Sequence, residues 1–79
     1  MTKEDIIQCL NVSKNRDNNR KLLTFCTQAR TFEEMKKGAG IKGDVFAPLV
    51  DLKKADALAF VGGKYVATPL ALEIQKSLQ

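Results

Sequence analysis

Two adjacent glycines near the C-terminal end place the strongest constraint on the fold of this chain. Gly62 and Gly63 separate two short runs rich in β-branched, aromatic and small apolar residues, 57–61 and 64–67. A glycine pair at this position is typical of a type I′ turn, because both central residues of that turn need positive φ. The sequence therefore predicts a two-stranded β-hairpin over 57–67.

A helix is predicted directly after the hairpin. Thr68 is a preferred N-cap residue, and Pro69 occupies the first helical position, where proline is favoured. The apolar side of this final helix is predicted to consist of Leu70, Leu72, Ile74 and Leu78.

Two further helices are predicted in the N-terminal part of the chain. Apolar residues at helical spacing predict the first over 3–11, with Ile6, Ile7 and Leu10 on its apolar side. An Asn-rich polar linker over 13–19 follows, in which Asp17 is placed to cap the next helix, over 18–30. The apolar side of that second helix is predicted to consist of Leu22, Leu23, Phe25, Cys26 and Ala29.

The middle of the chain predicts a helix, a glycine turn and another helix. Thr31 and Glu34 have the spacing of a capping box, which starts a third helix with Phe32, Met35 and Ala39 on one face. Gly38, Gly40 and Gly43 end this helix and form a turn that buries Ile41. A fourth helix is predicted over 44–55, capped by Asp44, with Val45, Leu49 and Leu52 facing the core.

The order of these elements resembles the winged helix-turn-helix regulators of archaea and bacteria, of the class that includes the ArsR-like and MarR-like families. The resemblance covers 20–78 and depends on the order of four segments rather than on any one of them. It implies a mainly α fold with a small β-hairpin and an extra helix at each end, as one domain over 1–79 with its winged-helix core and C-terminal helix in 18–78. The recognition helix would lie near 44–55 and the wing near 57–67. The segments that carry the resemblance are Leu22-Leu23, Thr31-Phe32-Glu33-Glu34-Met35, Ala39-Gly40-Ile41 and Gly62-Gly63-Lys64-Tyr65-Val66-Ala67-Thr68.

The function that this resemblance implies is binding of double-stranded DNA in transcription regulation. A net charge of +4 and an isoelectric point near 9.3 agree with an acidic partner. Cationic side chains would contact phosphates from the fourth helix, the preceding helix, the wing and the second helix. The predicted DNA-binding residues are Lys36, Lys37, Lys42, Lys53, Lys54, Lys64, Arg16, Arg20 and Lys21.

The exposed face predicted for the fourth helix leaves an alternative open. It carries Phe46, Ala47 and Val50 between Asp44 and Asp51, whereas base-reading members of the family usually have polar side chains there. An apolar patch of this kind suits a protein partner. The alternative function is therefore a winged-helix protein-interaction module that uses Phe46, Ala47 and Val50.

Composition argues against several other classes of protein. The chain has 79 residues and no histidine, so the commonest general base is missing and we expect no enzymatic activity. Its two cysteines are expected to be small buried side chains, and no metal or cofactor is expected. We expect a cytoplasmic protein without a membrane span, and a homodimer through the terminal helices remains possible, since their apolar side chains serve either the monomer's core or a dimer interface.

Overall fold

The computed structural model describes residues 3–78. It confirms a mainly helical fold with a two-stranded antiparallel hairpin. None of the helices within 3–78 has the length and apolar character needed to cross a membrane. The elements are α1 (Lys3–Ile7), which continues into a π-helical turn (Gln8–Val12), α2 (Arg16–Phe25), α3 (Phe32–Gly38), α4 (Phe46–Lys54), β1 (Leu58–Val61), β2 (Lys64–Ala67) and α5 (Pro69–Ser77).

The N-terminal helix differs from the prediction in its second half, which is π-helical. The N–H of Ser13 donates to the carbonyl of Gln8 at 2.8 Å, which closes the wide turn. Side chains of α2 satisfy the carbonyls at its end: Nδ2 of Asn19 donates to the carbonyl of Cys9 at 2.8 Å, and Nε of Arg20 donates to that of Leu10. A helix terminus that would otherwise leave acceptors unpaired is thus bound to α2.

The second helix is displaced from its predicted range of 18–30. It begins at Arg16, so the linker is shorter than predicted and Asp17 lies in the first turn instead of capping it. It ends at Phe25, and Ala29, predicted to be on the apolar side of the helix, is exposed. The helix ends early because the chain after Phe25 forms tertiary hydrogen bonds with the hairpin. The N–H of Ala67 donates to the carbonyl of Cys26 at 2.8 Å, and Arg30 forms a β-bridge with Tyr65.

The predicted caps of α3 and α5 are confirmed. The N–H of Glu34 donates to Oγ1 of Thr31 at 3.2 Å, and Oε1 of Glu34 accepts from the N–H of Thr31 at 2.9 Å, which completes the capping box. Oγ1 of Thr68 accepts from the N–H of Ala71 at 3.3 Å at the start of α5.

The predicted hairpin is also confirmed. Leu58 pairs with Ala67 at its base and Val61 with Lys64 at its tip. Gly62 and Gly63 have φ values of 59° and 79°, which agree with the type I′ turn.

The core is formed by one cluster to which every helix and both strands contribute. In α5, Ala71, Ile74 and Gln75 are buried, whereas Leu70 is 46% exposed, so the prediction for Leu70 is wrong. Nε2 of Gln75 donates to the carbonyl of Arg20 and to Oγ1 of Thr24, which holds this face of α5 on α2. The buried apolar residues are Ile6, Leu10, Leu22, Leu23, Cys26, Met35, Val45, Leu49, Leu52, Ala55, Ala57, Leu58, Ala67, Ala71 and Ile74.

Candidate nucleic-acid interface

The exposed face of α4 is apolar in its first two turns. Phe46 is 55% exposed and Val50 is 44% exposed, with Ala47 exposed between them. The opposite face is buried through Val45, Leu49 and Leu52, as predicted. The helix begins at Phe46 rather than at 44, and Oδ1 of Asp44 accepts the N–H of Phe46 at 2.9 Å.

An aromatic pair connects the start of α4 with the start of α3. The rings of Phe32 and Phe46 have centroids 5.1 Å apart, with the planes inclined at 37°. Nζ of Lys36 lies 5.7 Å from the centroid of Phe32, within the range of a cation–π contact. Lys36 also forms an exposed ion pair with Glu33 at 3.5 Å, an interaction that salt readily screens.

The C-terminal end of α4 meets the hairpin. Nζ of Lys53 lies 5.8 Å from the ring centroid of Tyr65, and this ring packs on Phe60 with the centroids 4.8 Å apart. Lys53, Lys54 and Lys64 are all exposed. The fold therefore places the end of α4 against the hairpin. The end of α4 together with β1 and β2, called here the α4–hairpin surface, contains three of the predicted DNA-binding residues.

The other predicted lysines lie on α3 and on the loop before α4. Lys36 and Lys37 are exposed in the last turn of α3. Lys42 is exposed, and its backbone is fixed to α2, because Oδ1 of Asn18 accepts the N–H of Lys42 at 3.3 Å and Nδ2 of Asn18 donates to its carbonyl at 3.0 Å. These contacts hold the loop that leads into α4.

The basic residues of α2 occupy a different environment. Arg20 donates to the carbonyl of Leu10 and, from Nη2, to Oδ1 of Asn11 at 2.9 Å. Nη1 of Arg16 donates to the carbonyl of Ser13 at 3.3 Å. Both guanidinium groups are thus bound to the N-terminal segment, and Lys21 is exposed beside them. The hydrogen bonds of Arg16 and Arg20 thus join α2 to the N-terminal segment and not to the α4–hairpin surface.

Asp51, which the sequence places on the exposed face of α4, is half-buried against the N-terminal segment. Its half-buried Oδ2 accepts from Oγ of Ser13 at 3.1 Å, from Nδ2 of Asn15 at 3.2 Å and from Nδ2 of Asn19 at 3.4 Å. Partial burial alone would raise the pKa of Asp51, but these hydrogen bonds, assisted by the charge of Lys54, hold its pKa below the usual value. The ionised carboxylate therefore binds the N-terminal segment.

Sequence reasoning did not find this Asp51 cluster, formed by Asp51, Ser13, Asn15 and Asn19. The only signal was the density of short polar side chains in the linker, which equally indicates a turn. Asn19 is fully buried, and its Oδ1 has no hydrogen-bond partner within the part of the chain described. Its Nδ2 donates one hydrogen bond to the carbonyl of Cys9 and one to Oδ2 of Asp51, and these two bonds fix the orientation of the amide.

Two remaining findings concern metals and relatives. Within residues 3–78, no cluster of three or more His, Cys, Asp or Glu side chains is arranged to hold a metal ion. In comparisons with known proteins, no family model, curated protein or solved structure matches this chain.

Proposed function

We propose that this chain is a winged helix-turn-helix domain that binds double-stranded DNA and regulates transcription. The observation that carries the proposal is the junction between α4 and the hairpin, where Lys53 lies over the ring of Tyr65. In a helix-turn-helix protein the second helix of the pair enters the major groove. A hairpin fixed beside the end of that helix is placed to contact the adjacent backbone.

The bridge between Arg30 and Tyr65 supports the winged-helix interpretation. It pairs one residue of the segment between α2 and α3 with β2, on the outer edge of the two-stranded hairpin. The hairpin is thereby held by α2 and α3 as well as by its own turn, which limits its freedom to move relative to α4.

Electrostatics supports an anionic partner. Lys53, Lys54 and Lys64 are all exposed, and Lys53 lies against the hairpin through Tyr65. Asp51 is hydrogen-bonded to Ser13 and Asn15, and the charge of Lys54 helps to lower its pKa. We assign contacts with phosphates to these three lysines and to Lys36, Lys37 and Lys42. Such contacts position a protein on a duplex without reading its sequence. The proposed role is recognition without a catalytic step.

A homodimer on a palindromic site forms part of this proposal, with the terminal helices as the pairing surface. Ile6, Leu10 and Ile74 are buried in the monomer's own core, so they are not free for a partner. Leu70 and Val12 are the large apolar side chains exposed on these terminal elements, within the described residues. Sedimentation of the protein with and without a Leu70→Glu substitution would test this arrangement.

The test of DNA binding is a fluorescence-anisotropy titration of mixed-sequence duplex DNA at about 50 mM and about 200 mM salt, because phosphate contacts release counterions. We expect binding that weakens steeply as salt rises. The triple variant Lys53→Glu, Lys54→Glu, Lys64→Glu should lose most of this binding.

A matched control separates local charge from net charge. Lys3, Lys14 and Lys76 are exposed and lie outside the predicted DNA-binding set. Changing these three to glutamate also takes the net charge from +4 to −2, but it should retain most of the binding. Equal losses in the two triple variants, or no binding of duplex at low salt, would contradict the proposal.

The second candidate function is a protein-interaction module, and the exposure of Phe46 beside Phe32 favours it. In that case Phe46→Asp abolishes capture of the partner and leaves DNA binding unchanged. Binding through an apolar interface would also depend little on salt, in contrast to contacts with phosphates.

A further inference from the structure

We infer that α4 selects thymine-containing duplex DNA by contacting the 5-methyl groups of thymine with Phe46, Ala47 and Val50. This inference rests on the proposed function and adds the sequence preference of the same surface. It explains why a helix in the recognition position has an apolar exposed face.

The first two turns of α4 present no free hydrogen-bonding side chain. Pro48, Leu49 and Leu52 are buried. Asp44 accepts the N–H of Phe46, and Asp51 is bound to the N-terminal segment. Phe46, Ala47 and Val50 are therefore the exposed side chains among residues 46–52, and the exposed Asp44 precedes the helix.

The chemistry of the major groove then narrows the possible base contacts. Residues near the start of a recognition helix are the ones that reach base edges. Each base pair exposes hydrogen-bonding groups there, but only thymine adds an apolar one, its 5-methyl group, which phenylalanine and alanine can contact. Either base pair placed against these side chains would lose water from its polar edge, but only the thymine-containing pair gains an apolar contact in return.

The charges around this apolar face favour DNA over an apolar protein surface. Lys36 lies beside the Phe32–Phe46 pair at one end, together with its ion-pair partner Glu33 and the exposed Asp44. Lys53 and Lys54 follow Val50 at the other end. The two lysines that follow the apolar strip match a groove whose floor carries methyl groups and whose rims carry phosphates. The occupant to which these observations point is thus a thymine-rich duplex.

The experiment compares four duplexes of equal length by fluorescence anisotropy at low salt. The first contains A·T pairs, and the second is identical except that deoxyuridine replaces thymidine, which removes the 5-methyl groups alone. The third contains G·C pairs, and the fourth replaces cytosine with 5-methylcytosine, which adds a methyl group at the equivalent position. We expect the affinity to fall about fourfold for each contacted methyl group removed, and to rise when cytosine is methylated.

Variants identify the side chains responsible. Val50→Ala and Phe46→Ala should bring the ratio of thymine to uracil affinity towards one, while salt-dependent binding persists. Gln28→Ala is the control, because Gln28 is exposed between α2 and α3 and lies outside both the proposed DNA contacts and the proposed pairing surface. It should leave the ratio unchanged. Circular dichroism checks the fold, and Val50→Ala keeps the test informative if Phe46→Ala unfolds the protein.

The outcomes distinguish this inference from the proposed function. Salt-dependent duplex binding with equal affinity for thymine and uracil would overturn the inference and leave the DNA-binding function standing. Absence of duplex binding would overturn both. Tighter binding of the single strand, or a protein dimer that Phe46→Ala dissociates, would show that the face takes stacked bases or a second copy of the chain, and would also overturn the inference.

Discussion

The backbones of Arg30 and Tyr65 are joined by a reciprocal pair of hydrogen bonds. The N–H of Arg30 donates to the carbonyl of Tyr65 at 2.8 Å, and the N–H of Tyr65 donates to the carbonyl of Arg30 at 2.7 Å. The N–H of Ala67 points to the same side and donates to the carbonyl of Cys26. The outer edge of β2 is therefore paired with the segment that follows α2.

The first prediction concerns hydrogen exchange at this edge. An isolated two-stranded ribbon would leave the amides of Tyr65 and Ala67 open to water, whereas here they exchange only when the hairpin separates from the body. We expect both amides, and that of Arg30, to be protected together in native-state exchange measured by NMR. Exchange of all three at nearly free-peptide rates would contradict the observed pairing.

The second prediction concerns the pH dependence contributed by Asp51. Because its pKa is lowered in the folded state from an ordinary value of 3.8, the charged carboxylate stabilises the fold above that value. This contribution is lost as the pH falls through the lowered pKa. Asp51→Asn should reduce the free energy of unfolding at pH 7 by about 1 kcal/mol, a figure kept low because solvent screens a half-buried group.

Urea denaturation at pH 7 and at pH 2.5 measures this difference. The difference in the free energy of unfolding between the wild-type protein and Asp51→Asn should be smaller at pH 2.5 than at pH 7. Glu73→Gln removes an exposed carboxylate of α5 as a control and should change stability by less than about 0.5 kcal/mol. An equal difference in the free energy of unfolding at both pH values would show that Asp51 does not act through its charge.

The third prediction concerns the reactivity of the two thiols. Burial raises the pKa of Cys26 to about 11, although the charge of Arg30 acts in the opposite direction. Cys9 is only half-buried, and burial followed by the charges of Asp51 and Asp5 raises its pKa as well. Because the thiolate is the nucleophile, a disulfide reagent at pH 8 should modify Cys9 slowly and Cys26 only on unfolding. Fast native modification of Cys26 would be inconsistent with its buried position.

The fourth prediction concerns the capping box of α3. Thr31→Ala removes the acceptor for the N–H of Glu34 and should lower the free energy of unfolding by about 1 kcal/mol. Thr31→Ser retains a hydroxyl and should lower the free energy of unfolding by much less. Thermal or urea denaturation of the two variants makes the comparison. Equal stabilities would mean that the hydroxyl contributes nothing at this N-cap.

The fifth prediction concerns the turn of the hairpin. Gly62 has a φ of 59°, a region that asparagine enters readily and valine avoids. Gly62→Asn should therefore leave stability nearly unchanged, whereas Gly62→Val should reduce it by about 1–2 kcal/mol. The same denaturation measurement checks both variants. A well-tolerated valine would imply that the turn rearranges.

Local signals account for the successful sequence predictions. Thr31 with Glu34, Thr68 with Pro69, and the Gly62-Gly63 pair each act on backbone groups within a few residues, so the sequence alone carries the necessary geometry. The helical pattern likewise identified Val45, Leu49 and Leu52 as the buried side of α4, although the start of that helix shifted by two residues.

Distant contacts account for the errors. The apolar spacing of 18–30 is that of a helix, yet the chain leaves the helix after Phe25 because β2 supplies hydrogen bonds to Cys26 and Arg30. The sequence presents Asp51 as an ordinary helix-surface carboxylate, and only the packing of the N-terminal segment against α4 brings Ser13 to it.

The sequence by itself thus determined where chain direction changes and which helices are amphipathic, because caps, turns and helical spacing act between neighbouring residues. It also placed exposed lysines on α4 and on the hairpin. Only the tertiary structure decided that Lys53 meets Tyr65 while Arg20 is bound to the N-terminal segment. The physical reason is that these positions depend on hydrogen bonds and packing between residues far apart in the chain, whose partners no local pattern specifies.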